Sequence, residues 1–132
     1  MNVTANTRPV SLAQVAQMAA AGDSFDRCLS NFLDGFYAAP TAAALAAEPP
    51  FLAPQNPSSG RLMDAYLAAT AEELARQYQF PRPSWTAGDA RVLHQPWFAV
   101  TLAAVRTTLL LESPPSFRAR NIFVSANALS RV

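Results

Sequence analysis

Eleven prolines among 132 residues decide where regular structure can run in this chain. Proline donates no backbone hydrogen bond and locks φ, so it ends helices and is kept out of central strands. Residues 48–60, EPPFLAPQNPSSG, hold four prolines and a glycine, and this stretch is expected to be an irregular surface loop. Pro40, Phe80-Pro81-Arg82-Pro83, Pro96 and Pro114-Pro115 divide the rest into proline-free segments. Each of these can be read by its own periodicity.

Residues 1–10 are polar and aperiodic, and are expected to form a flexible arm. Ser11 is placed to cap a helix to about Ala20 in which Leu12, Val15, Ala16 and Ala19 recur at helical spacing. Gly22 ends it. Asp23 or Ser24 opens a second helix whose stripe is Phe25, Cys28, Leu29, Phe32, Phe36 and Tyr37, and TAAALAAE adds a short turn of helix after Pro40. Arg61 to Tyr78 is amphipathic, with Met63, Tyr66, Leu67, Thr70, Leu74 and Tyr78 on one face; Ser84 to Pro96 is expected to be irregular or to hold one helical turn around Asp89 to Leu93. Trp97 to Leu111 is apolar on all sides, which predicts by its length a helix enclosed by others, with a buried strand as the less favoured alternative given Val100, Thr101, Val105, Thr107 and Thr108. Ser113-Pro114-Pro115 is expected to cap a short helix carrying Arg118 and Arg120, Asn121 to end it in the left-handed conformation, and Ile122-Phe123-Val124 to be extended. Ser125 is placed to cap a last turn. The expected fold is all-α: a single compact domain over 11–132, of about five to seven helices.

Apolar residues make up 51% of the chain and charged residues 14%, which excludes wholesale disorder. Net charge is +1 and the pI is near 8.0, below the range of general polyanion binders, so nucleic acid is not the expected partner. The positive charge gathers at the end of the chain, where Arg118, Arg120 and Arg131 have no acidic residue among them. The apolar run of about 15 residues at 97–111 is interrupted by Arg106 and falls short of the ~20 that cross a bilayer. With one cysteine and no secretory leader pattern in the first 30 residues, a cytoplasmic location is expected.

Chemistry has few carriers. Cys28 and His94 are the single members of their types, so no metal site is expected, and no glycine-rich or nucleophile-elbow motif suggests a cofactor. Cys28 lies on the aromatic stripe of the second helix, where a thiol packs as a small hydrophobe. Glu72 and Glu73 are adjacent and splay apart on a helix, while Asp23 and Asp26 suit a helix start. No catalytic set emerges. The alternative from another class is a small enzyme or ligand-binding domain with a pocket near His94, Trp97 and Cys28; a self-associating helical module is the third reading.

At LDGFYAAP (33–40), LMDAYLAATAEELARQYQFPRPSW (62–85) and LLLESPPSFRARNIFVSANALSRV (109–132) the sequence resembles a family of small helical proteins of high-GC bacteria. The use of arginine as the only strong base, with 27 alanines, fits that source. Members are encoded beside a nucleotidyltransferase-like protein, an arrangement of toxin–antitoxin type. The resemblance implies an antitoxin-like, non-enzymatic protein that binds this neighbour, and it supplies no catalytic residues. Aromatic and arginine side chains dominate protein interfaces, so Trp85, Trp97, Arg118 and Arg120 are the residues expected to meet the partner.

Overall fold

Ser11 does what its position predicts. In a computed structural model describing residues 8–99 and 103–131, its hydroxyl accepts the Gln14 N–H at 3.1 Å and opens α1 (Leu12–Ala20). Gly22, at φ 114°, and Asp23 return their N–H groups to Ala19 and Met18, which closes the helix in the left-handed turn that favours glycine. Ser24 caps α2 (Phe25–Ala38) through the Arg27 N–H, and Thr41 accepts from Ala43 ahead of α3 (Ala43–Ala46). Contacts among the described residues gather into two compact units, one up to Pro50 together with Arg131, the other from Phe51 to Ser130. The sequence reading treats 11–132 as one domain. In the first unit, α1 packs on α2 and α3, burying Leu12, Val15 and Ala16 together with the Phe25/Cys28/Leu29/Phe32/Phe36 stripe; Phe32 and Phe36 stack at 5.7 Å. Arg131 donates to Asp34 at 3.0 Å there.

The second unit is built around α4 (Gly60–Tyr78). Its small, buried face of Ala65, Ala68, Ala69, Ala71 and Ala75, with Leu67 and Leu74, lets neighbours approach closely, and two 3-10 turns (Ser84–Ala87 and Asp89–Arg91) and α6 (Pro115–Arg118) pack on it. Phe117 is fully buried and meets Tyr66 edge-on at 4.9 Å. Gln79 ends α4 in the left-handed conformation, φ 58°, with the Phe80 N–H returning to Ala75 at 2.9 Å. Asn121 takes the same conformation after α6, φ 63°, as its position predicts.

Six α-helices and one small sheet are present among the described residues, so the all-α class holds. Three local expectations are corrected. Trp97 does not begin a helix: β1 (Trp97–Phe98) pairs in parallel with β2 (Ile122–Phe123), Trp97 opposite Ile122 and Phe98 opposite Phe123. The N–H groups of Trp97 and Ala99 donate across to Asn121 and Phe123 at 2.8 and 3.0 Å, and Phe98 stacks on Phe123 at 4.9 Å, which holds the aromatic pair extended. The helix that follows, α5 (Ala103–Glu112), is not enclosed: of the side chains described on it only Leu109 is buried. Ser113 is not a cap either. Its single O–H is within hydrogen-bond reach of the carbonyls of Leu109 and Val124, and its oxygen accepts the Val124 N–H at 2.9 Å, so it ties the end of α5 to the residue after β2. Of the expected N-terminal arm, residues 1–7 lie outside the described residues, as do 100–102 of the apolar run.

Candidate functional site

The proline-rich stretch from Phe51 to Ser59 is irregular, as its composition requires, yet it is tied to α4. Asp64 on α4 accepts the N–H groups of Leu52 at 2.7 Å and Ala53 at 3.1 Å, one on each carboxylate oxygen, and Leu52 is buried. Gly60 permits the approach, since a Cβ there would sit 2.5 Å from the Leu52 carbonyl carbon. Above the same carboxylate lies Arg91, 0% exposed, its guanidinium 4.1 Å from the centre of the Phe51 ring and 4.9 Å from that of Trp85. Trp85, expected to face a partner, is half-buried against this arginine. A cation between two aromatic faces and a carboxylate is a rigid structural element.

Arg120 is corrected more sharply. Sequence reasoning puts it on a partner-facing edge, but only 5% of it is exposed. Its guanidinium donates to Glu72 at 2.5 Å, to the Ser116 carbonyl at 2.7 Å and to the Thr86 carbonyl at 2.8 Å, joining α4, α6 and the first 3-10 turn. The alternation Arg118-Ala119-Arg120 turns the two arginines about 200° apart, so when one faces solvent the other faces the core. Arg118 is the exposed one, and its Nη1 reaches the Leu110 carbonyl at 3.5 Å.

Glu72, Arg76, Phe80, Arg82 and Ser116 are among the residues that line a cleft of about 390 Å³, and the Ser116 hydroxyl donates to Glu73 at 3.3 Å. Burial pushes the Glu73 carboxyl up, but hydrogen bonds from Arg76, Gln77 and Ser116 outweigh it and hold the group below the ordinary glutamate range. Glu72 is lowered likewise, with Arg120 and Arg82 overcoming the effect of burial. Both carboxylates are therefore ionised and fully engaged as acceptors. Such groups hold helices together and are poor proton donors or bases.

The residues of the pocket reading are not among those that line this cleft. His94 is exposed, and its Nε2 lies 2.9 Å from Nη2 of Arg61. Trp97 is 37% exposed on β1. Cys28 belongs to the first unit, 2% exposed on its aromatic stripe, and burial pushes its thiol up, helped by Asp23 and opposed by Arg27. Among the described residues no group of three His, Cys, Asp or Glu could hold a metal ion, and no helix is long and apolar enough to cross a membrane.

What the sequence reading missed is the outward face of α5. Leu110 is 46% exposed and Leu111 is 77% exposed. Arg106 lies one turn before Leu110, with its guanidinium 5.0 Å from the centre of the Phe98 ring, and Thr107 lies one turn before Leu111. Three consecutive leucines, 109–111, were the available signal, because residues spaced by about 100° cannot all face one neighbour. Compared with known proteins, the chain matches no family model, no curated protein and no solved structure.

Proposed function

We propose that this chain is a protein-binding module without chemistry of its own, which acts by covering another protein with the outward face of α5. The observation that carries this reading is the pair of exposed leucines, 110 and 111, on a helix whose described side chains bury only Leu109. Contiguous apolar surface on a small protein marks interaction sites, and Arg118 beside Leu110 supplies the kind of residue that interfaces favour. The partner suggested by the sequence resemblance is the nucleotidyltransferase-like protein encoded alongside, with this chain as the antitoxin-like member. The engaged state of Glu72 and Glu73 supports a structural role for both carboxylates.

Co-expression of the two proteins tests the reading. A complex that survives size-exclusion chromatography at micromolar concentration is expected, and it should weaken at least tenfold when Leu110 and Leu111 are both replaced by Ser. Absence of a complex at that concentration overturns the proposal.

A further inference from the structure

The charges around the leucines narrow what can cover them. On the helical wheel Arg106, Leu110, Thr107 and Leu111 occupy one arc of about 140°, opposite the buried Leu109. No acidic residue lies in that arc. Arg106 faces the Phe98 ring and Arg118 reaches a backbone carbonyl, and neither is paired with a carboxylate among the described residues. The remaining charge on α5, Glu112, lies outside the arc and accepts the Ala126 N–H at 3.2 Å. This contrasts with Arg76, Arg82 and Arg120 of the same unit, which all have glutamate partners.

We infer that the α5 face receives an acidic amphipathic helix of a protein partner, its apolar stripe on Leu110 and Leu111 and its carboxylates against Arg106 and Arg118. This rests on the protein-binding reading above and adds the chemistry of the bound segment. One feature chooses a helix and another its acidic charge. The leucine surface offers few hydrogen-bonding groups, so a segment buried there must satisfy its own backbone, as a helix does. Guanidinium groups flanking an apolar stripe reject a basic segment and pair bidentately with carboxylates.

Display selection from a library of helical peptides, with a fixed leucine stripe and randomised flanks, tests this on the intact folded chain without using the natural partner. Binders are counter-selected on the Leu110→Ser/Leu111→Ser variant, which removes only exposed side chains. The expected outcome is enrichment of clones whose flanks carry an excess of Asp and Glu, binding the chain at least tenfold more tightly than the same peptides with Lys in those positions. The Arg106→Glu/Arg118→Glu variant should reverse that preference. Leucine-dependent clones without acidic bias, or no enrichment over the counter-selection, overturn the inference. So does a leucine-dependent dimer of this chain in light scattering, since a second copy then covers the face. Arginine-dependent binding to phosphatidylglycerol vesicles in the absence of any peptide preference overturns it in favour of a membrane surface. Failure of the neighbour to co-purify, by contrast, bears on the protein-binding reading and leaves the selected peptide chemistry standing.

Discussion

The carboxylate of Asp64 faces the fully buried guanidinium of Arg91, but its two oxygens hydrogen-bond the backbone of Leu52 and Ala53; Arg91 lies 4.0 Å from Oδ1 and donates instead to the Asp64 carbonyl at 3.3 Å. One acidic side chain thus fastens the proline-rich loop and faces a buried cation. Replacing Asp64 with Ala takes the acceptor from one buried and one half-buried N–H and weakens the electrostatic support of Arg91, so a loss of about 2–5 kcal/mol is expected in urea denaturation. In a double-mutant cycle with Arg91→Met the two changes together should cost less than the sum of their separate costs. Strict additivity of the two changes would show that the pair is not coupled.

Arg118 and Arg120 should separate cleanly, although they stand two residues apart. Arg120→Ala removes a guanidinium with three buried or half-buried acceptors and should lower stability by roughly 2 kcal/mol or more, with a fall in Tm by scanning fluorimetry. Arg118→Ala should change stability by less than about 0.5 kcal/mol. Equal effects would contradict the burial difference.

Two backbone positions respond oppositely to adding or removing a side chain. Gln79 occupies a left-handed position that costs a side-chain-bearing residue about 1 kcal/mol, so Gln79→Gly should raise the urea midpoint. Gly60→Ala drives a Cβ into the Leu52 carbonyl and should cost about 1–3 kcal/mol. Stabilisation by alanine at 60 would show that the loop does not approach α4 this closely in solution.

Acid should unfold the second unit through Glu72 and Glu73. Their folded-state values lie below the ordinary glutamate value of 4.5, so their contribution is complete above that value and disappears as pH falls through the lower, folded-state range. A Tm that declines below about pH 4.5 is expected, and Glu72→Gln/Glu73→Gln should flatten that decline while lowering Tm at neutral pH. An unchanged acid slope in the double variant would assign the acid sensitivity to other groups.

Deleting residues 117–132 is expected to unfold the second unit. Phe117 and Ile122 are 0% exposed, and Phe123, Val124 and Leu129 are also buried. Each large apolar side chain is worth roughly 1.5–3 kcal/mol of burial. A truncated chain that kept its near-ultraviolet dichroism and cooperative melting would show that this segment is peripheral.

Local structure was written in the sequence because its causes are local. The Ser11 and Ser24 caps, the Gly22 and Asn121 left-handed turns, the proline stops and the aromatic stripe of α2 each depend on residues within one or two turns. Tertiary structure decided the rest. Arg91 and Arg120 look like solvated bases in the sequence, since Asp64 and Phe51 stand 27 and 40 positions from Arg91, and Glu72 and the Thr86 carbonyl 48 and 34 from Arg120; only Trp85 and the Ser116 carbonyl, 6 and 4 positions away, are local. Trp97 and Phe98 became a strand because β2, some 25 residues later, offered hydrogen bonds and an aromatic partner. The all-round apolar character of 97–111 was equally legible, but composition states only that such a segment has apolar surface to cover. Which neighbour covers it is a matter of three-dimensional packing, and within this chain Leu109 is the leucine that packing reaches while Leu110 and Leu111 stay in solvent.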